Sequence, residues 1–457
     1  MWAWLTGFEK LQQQQSVIYK ALYQQLEAAI QQGVLRAGDK LPPQRQLAQR
    51  LNIAPATVTR VYKLAEQQGL INAKVGKGSF VSICPVLPQA IQAQDYQCIN
   101  LSIIKPQVSL GESQIAEQLK ALSEQQPLTD LMDYNPDGGS LTDQKTARDW
   151  LSQRNVNVEG RGISICSGAQ HGLMVLINSL SAYGDCIAVE KYCYPGIITL
   201  ANQSGRKLVG IEMDQQGMLP HSLEQACIKH SIKMLVVVAS HQNPTTAVMS
   251  KTRRQAIAAI VEKYSLWLVD DDVYGFLSAD LPAISNFAPQ QSFYLNSLSK
   301  SMFPGLRVGY IVSPISFKQR IDDEIRNSVW MPVPLTLALA ARLIHSGQSL
   351  KLQQLQNQLA AQRQKLAAQL LDGCDFQAQS NSYHLWLKLA DPWSSEQFSQ
   401  QLKQQGILVS SADYFCAQYQ QQTAAVRISL MATNTEAELS YALKRIRRLV
   451  FTDPSAN

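Results

Sequence analysis

A chain of 457 residues, 46% hydrophobic and 17% charged, has the composition of an ordinary soluble globular protein and the length for two or three domains. No apolar run of about 18 residues occurs, so no transmembrane helix is expected, and the start, MWAWLTGFEKLQQQQ, lacks the regions of a signal peptide. Eight scattered cysteines without a C-x-x-C pair argue against zinc and a disulfide framework and fit a reducing cytoplasm. The net charge of +6 falls entirely in residues 1–82, where ten Lys/Arg meet four Asp/Glu. A basic segment on a neutral body implies an anionic partner for that segment.

Tyr19, Leu22, Tyr23, Leu26 and Ile30 recur at helical spacing and predict an amphipathic helix that Gly33 and Gly38 terminate. In LPPQRQLAQRLNI the paired prolines suit a helix start, and Leu47, Ala48 and Leu51 mark a short second helix. Past the turn Asn52-Ile53-Ala54, Pro55 opens a third helix. Val58, Val61, Tyr62 and Ala65 form its buried face and leave Thr57, Thr59, Arg60 and Lys63 outward. INAKVGKGSFV then reads as two short strands about a Gly-Lys-Gly turn.

Helix, short helix, turn, helix, hairpin is the order of a winged helix-turn-helix. With G-x-L-x-x-G-D-K-L-P-x-x-R-x-L-A, T-V-x-R-x-Y-x-x-L and G-K-G-S-F-V, residues 16–82 resemble the GntR family of bacterial regulators. The resemblance implies that the third helix enters the DNA major groove and that the wing tip at Lys77-Gly78 approaches the minor groove. Arg45, Arg60 and Lys77 are then expected on phosphates, with Thr57 and Thr59 near base edges. Pro55 stands where the family often carries a basic residue, so the target sequence is not readable from this helix.

Residues 83–97 carry prolines, small residues and glutamines with little apolar period, and read as a linker between a head of 1–82 and a body of 98–457. In the body, ISICS, CIAVE, KLVGIEM, MLVVVAS, LWLVD, FYLNSLS and GYIVS alternate with helix-length segments. That is the signature of an α/β fold with a mostly parallel sheet covered on both faces, here over about residues 140–330. From about 331 to 457, a long helical region near Leu335 to Leu371 followed by YHLWLKLA and AVRISLMA predicts a smaller α+β domain.

Ligands of such sheets bind beyond the carboxyl ends of the strands. Gathered at those ends are Ala169 and Gln170 opening a helix, Tyr194, Asn243, Asp271 with Tyr274, and Ser297, Ser299 and Lys300, with Arg307 soon after. An anion cradle, an aromatic, an amide, a carboxylate with a phenol, and a lysine converge on one edge. From about Asn100 to Leu449 this set resembles fold-type I pyridoxal-phosphate enzymes, the aminotransferase family. The resemblance implies that Lys300 forms the Schiff base with pyridoxal 5'-phosphate. Arg307, Ser297, Ser299 and the N–H groups of Ala169 and Gln170 would hold its phosphate. Asp271 would pair with the ring nitrogen, Asn243 and Tyr274 would bond the ring oxygen, and Tyr194 would stack on the ring. By the same resemblance Tyr134, in DYNPDGG, reaches the phosphate of a neighbouring subunit, and Arg427 clamps an effector or substrate carboxylate. The family's frequent N-P-x-G is Asn243-Pro244-Thr245-Thr246 here, so that turn is expected to differ. Which aspartate of 270–272 meets the nitrogen rests on spacing.

A GntR-like head on an aminotransferase-like body is the architecture of the MocR subfamily of regulators. The resemblance implies a homodimeric, cytoplasmic transcription factor that binds a double-stranded DNA operator and senses an amino acid or amine, or the cofactor itself. The competing function is a working aminotransferase with an appended DNA-binding head. A third, a DNA-binding protein whose body only dimerises, predicts no cofactor. No metal site and no membrane association are expected.

Overall fold

The computed structural model describes residues 2–5, 8, 18–31, 34–35, 39–67, 70–74, 78–81, 90–92, 98–125, 127–417 and 423–452. Lys77 and most of the linker fall outside the described residues. The chain divides into two compact units, Met1–Pro85 and Val86–Asn457.

The first unit contains helices α1 (Ile18–Gln31), α2 (Gln44–Leu51) and α3 (Pro55–Gln67), then a hairpin of β1 (Ile71–Lys74) and β2 (Gly78–Val81). Leu22 and Leu26 of α1, Leu47 of α2, and Val58, Val61 and Tyr62 of α3 are buried together. The α2–α3 turn forms because Asn52 accepts a left-handed conformation, φ 51°, and returns its N–H to the carbonyls of Ala48 and Gln49. Pro55 at the first position of α3 gives up an N–H that would have no helical partner. Tyr62 Oη donates to the Pro42 carbonyl at 2.8 Å and ties α3 to the start of α2. The hairpin pairs Ile71 with Val81 and Lys74 with Gly78. Residues 39–41 add to its open edge: Leu41 N–H donates to Ser79 at 2.9 Å and Val81 N–H to Asp39 at 2.9 Å.

The second unit is built on seven strands: β3 (Arg161–Cys166), β4 (Cys186–Glu190), β5 (Lys207–Ile211), β6 (Ile232–Val237), β7 (Trp267–Asp271), β8 (Ser292–Ser297) and β9 (Gly309–Pro314). They lie in the order β3-β9-β8-β7-β6-β4-β5. Strand β9 is antiparallel to both neighbours and the other pairings are parallel. Both faces are covered. Phe293 and Leu295 pack with Leu173 and Leu176 on one side, while Tyr294 packs with Trp150 and Leu343 on the other. Alternate residues therefore enter two different cores, which is why these strands read as unbroken apolar runs.

A smaller antiparallel sheet follows, of β10 (Phe376–Gln377), β11 (His384–Lys388), β12 (Ser410–Ser411) and β13 (Ala425–Ser429), in the order β10-β11-β13-β12. The long helical region expected from Leu335 to Leu371 is two helices, Pro334–His345 and Gln348–Leu370. Gly347, at φ 72°, breaks it, and only a residue without Cβ takes that conformation freely. Among the described residues no helix is long and apolar enough to cross a membrane.

Candidate functional site

Strand β8 ends at Ser297 and passes directly into a one-turn helix, Leu298–Ser301, that carries Lys300. Ser297 Oγ caps this turn, accepting from Ser299 N–H at 3.2 Å, and donates to the Val308 carbonyl at 3.1 Å. Lys300 Nζ donates to the Ile104 carbonyl at 2.5 Å, and Tyr383 Oη holds the Lys300 carbonyl at 3.1 Å. Burial, followed by Arg427 and Arg307, lowers the Lys300 pKa to about 8, against an opposing pull from Asp271. An appreciable share of the amine is then neutral near pH 7, as a nucleophile requires.

Asp271, at the end of β7, lines the same pocket. Its two neighbours are engaged elsewhere: Asp270 accepts from Ser285 N–H at 3.1 Å, and Asp272 from Tyr294 Oη at 3.0 Å. Asp271 Oδ1 is buried without a partner. Burial, then Asp272, pushes this carboxyl up to about 7, with Lys300 opposing. A cationic N–H donor placed against it would relieve that cost.

A cradle for an anion lies beside the lysine. Gly168, at φ 86°, precedes helix α4 (Ala169–Leu180), whose first residues Ala169 and Gln170 line the pocket with Ser297, Ser299 and Arg307. Arg307 donates to the Ser167 carbonyl at 3.1 Å and to Ser299 Oγ at 3.3 Å. A Cβ on Gly168 would stand 2.6 Å from Arg307 Nη2, so glycine is what admits the guanidinium. Helix N-terminal N–H groups, two hydroxyls and an arginine fork form a site suited to a phosphate.

Across the pocket are Tyr194, Asn243, Tyr274 and Arg427. Burial pushes the Tyr194 phenol up to about 12 and raises that of Tyr274 as well, so both are neutral hydrogen-bonding groups. Arg427, on β13, is 1% exposed. It donates to Asn243 Oδ1 at 2.8 Å, to Ser410 Oγ at 3.0 Å and to the Ser102 carbonyl, and lies over the Phe415 ring at 4.9 Å. Burial lowers its pKa to about 10, which leaves it cationic near pH 7. The turn after Asn243 does differ from a glycine turn: Thr246 is fully buried at φ 66°, where a β-branched residue is strained.

Every body residue expected at the site lines this pocket except Tyr134. Tyr134 is 76% exposed, with its ring 5.8 Å from that of Trp330. Sequence reasoning missed Ser102 and Ile104, which act through backbone carbonyls and so leave no side-chain signature, and Ile91, Ile103 and Val238, whose apolar side chains line the cavity.

In the head, Arg45 and Thr59 are exposed and Thr57 is half-buried. The Thr59 hydroxyl is already engaged, donating to Gln44 Oε1 at 2.7 Å. Arg60 stacks its guanidinium on the ring of Tyr19, a residue of α1, at 3.8 Å. Gly78 takes φ 108°, and a Cβ there would lie 3.1 Å from Lys40 Cε. Lys77 lies outside the described residues.

The architecture is that of a DNA-binding head joined to an aminotransferase-like body, and comparison with known proteins agrees. Residues 96–446 match aminotransferase class I and II, and residues 18–81 match the gntR family of bacterial regulatory proteins. The chain is 33% identical to the uncharacterized HTH-type transcriptional regulator YdeF of Bacillus subtilis, over 95% of this chain and 94% of that one. It is 25% identical to the probable rhizopine catabolism regulatory protein MocR of Rhizobium meliloti, over 76% of each. Among solved structures, kynurenine aminotransferase of Pyrococcus horikoshii matches with a TM-score of 0.72 at 20% identity, over 78% of this chain and 91% of that one. The protein belongs to the HTH-type transcriptional regulators that join a GntR head to an aminotransferase class I and II body.

Proposed function

We propose that this regulator binds pyridoxal 5'-phosphate at Lys300 and responds to an amino compound, or to the cofactor itself, by a change in operator affinity. The observation that carries this is the meeting, in one pocket, of a lysine of lowered pKa, a buried carboxyl without a partner on one oxygen, and a phosphate-type cradle. These are the three groups that the amine-reactive aldehyde, the ring nitrogen and the phosphate of that cofactor need. Bound there, the cofactor supplies an aldehyde that condenses with amines and a ring that withdraws electrons.

The residues then divide the work. Lys300 presents a neutral amine to the aldehyde, and Asp271 holds a proton on the ring nitrogen. Arg307, Ser297, Ser299 and the N–H groups of Ala169 and Gln170 fix the phosphate. Tyr194 covers the ring face. Asn243 gives its Oδ1 to Arg427, which leaves its amide N–H free for the ring oxygen beside Tyr274. Arg427 is the cation available to an incoming carboxylate. Tyr134 belongs to a second copy's site, as its exposure on its own chain allows, and a homodimer follows from that assignment. In the head, α3 reads the major groove, Arg45, Arg60 and Lys77 lie on phosphates, and Thr57 and Thr59 face bases.

Coupling between the two units would be a difference in free energy: an amino compound held in this pocket by Arg427 would shift operator affinity by its differential affinity for two domain arrangements. The test is to titrate operator DNA with the cofactor-loaded protein, with and without candidate amino acids, while recording visible absorbance. A protein that takes up no cofactor sinks the reading. Multiple turnovers with a 2-oxoacid would move it to the aminotransferase alternative.

A further inference from the structure

Behind the main pocket lies a small cavity with room for about one water. Leu173, Tyr194, Val238 and Asp271 line both spaces, so the second is the floor of the first. Its other polar group is Glu190, the last residue of β4, which is 1% exposed. Glu190 Oε1 accepts from Val238 N–H at 2.9 Å. Strand β6 separates β4 from β7, so Glu190 and Asp271 flank the residue that follows β6 from its two sides.

We propose that Glu190 is a positioning residue for Asp271: a neutral carboxylic acid that anchors Val238 and offers its proton, through one water in the small cavity, to the Asp271 carboxylate. Two carboxyls face one small apolar space, and no cation lines it. Both cannot ionise there at modest cost. The proton falls to Glu190: backbone N–H groups favour the anion of both carboxyls, but Asp271 alone is also drawn toward the anion by a cation, Lys300. The other titratable groups on this space are the Cys193 thiol and the Tyr194 phenol, with the Cys416 thiol beside Cys193, and burial pushes up the pKa of each. All are neutral near pH 7 and none supplies a compensating charge. A donor from Glu190 would settle the charge on Asp271 and so set how firmly Asp271 holds a proton on the ring nitrogen.

The inference rests on the proposed cofactor, and its test separates the two. Full-length wild type, Glu190→Gln and Glu190→Ala are compared for pyridoxal 5'-phosphate affinity and for the pH midpoint of the visible band. Gln keeps both the acceptor for Val238 and a donor toward Asp271, so both quantities should stay within about twofold and a few tenths of a pH unit of wild type. Ala should weaken the cofactor about tenfold and move the midpoint. A Gln variant that behaves like Ala, or an Ala variant that behaves like wild type, overturns the proposal. If the wild type takes up no cofactor, the functional reading falls, and a measurement on the cofactor-free chain still judges Glu190. An acid with a raised folded pKa, here about 8, contributes stability at low pH that is lost as pH climbs toward that value. The thermal midpoint of wild type should therefore fall more steeply than that of Glu190→Gln between about pH 5 and pH 8. Parallel curves would show that Glu190 is not the proton holder.

Discussion

Arg427 Nη1 donates to Asn243 Oδ1 at 2.8 Å, joining a strand of the small sheet to the loop that follows β6 of the large one. The contact orients both partners: it turns the Asn243 amide N–H groups away from the arginine and aims the guanidinium at the pocket.

Arg427→Ala separates two modes of sensing. If the signal is an amino acid, its carboxylate loses a charge-assisted contact of about 1.5–3 kcal/mol, or about ten- to a hundredfold in effector affinity. The visible cofactor band and basal DNA binding should persist. If the signal is the cofactor itself, cofactor-dependent DNA binding should be unchanged. Operator titrations with and without amino acids decide between these outcomes, and a variant that answers an amino acid as wild type does removes the clamp role.

Lys300→Ala should abolish the visible band. In the wild type, the rate of band formation should rise with pH and reach half its maximum near pH 8, since the neutral amine reacts and its pKa is lowered to about 8. An ordinary lysine would give a midpoint near about pH 10.4. Stopped-flow absorbance across that range checks the point.

Gly168→Ala should weaken cofactor binding by about tenfold or more, because the new Cβ meets Arg307 Nη2 at 2.6 Å on a backbone held at φ 86°. Arg307→Ala should also weaken binding yet leave the band, since it removes a phosphate contact and not the amine. Fluorescence titration with the cofactor reads both variants.

Arg45→Ala should lower DNA affinity at low salt and reduce the slope of log Kd against log salt by about 1, as for the loss of one phosphate contact. Arg60→Ala should lower affinity as well, with an added loss of head stability because its stacking on Tyr19 goes too. No change in either variant at low salt would remove the phosphate assignment.

Thr246→Gly should raise the thermal midpoint of the body. The native threonine pays for a left-handed φ of 66° and for a buried hydroxyl without a partner, and both costs vanish with the side chain. A lower midpoint would mean that the methyl packing of Thr246 outweighs them.

The large-sheet strands were legible because all but the edge strand β5 are buried on both faces and so read as apolar runs. Much of the pocket was legible for the same reason: Ala169, Tyr194, Asn243, Asp271 and Lys300 follow or close strands of the large sheet, where a change from apolar to polar is visible, whereas Arg427 sits in the middle of β13 and stood out only by resemblance. Asp271 was not legible, since Asp270 and Asp272 share its chemistry and spacing alone does not tell which of the three lines the pocket; Asp271 does, while Asp270 and Asp272 turn to Ser285 and Tyr294. Glu190 was hidden as the polar end of CIAVE, because nothing local tells a buried acid from a solvated one. The break at Gly347 was lost inside a helical composition that continues on both sides.

Ser102 and Ile104 have a bearing on how occupancy could be registered along the backbone. Arg427 donates to the first carbonyl and Lys300 to the second. A little further on, Gln356 clasps Gln107 through a reciprocal pair of 2.9 and 2.8 Å. This stretch is a ribbon pinned at both ends, by Leu101 N–H on the Leu408 carbonyl and by the Gln107–Gln356 pair, and buttoned by two cations between them. On the proposed function, an aldehyde that engages Lys300 would free the Ile104 carbonyl and a carboxylate at Arg427 would compete with the Ser102 carbonyl, so two events at separate points of the pocket would bear on a single run of peptide groups. In sequence, that run is the first of the body to follow the linker.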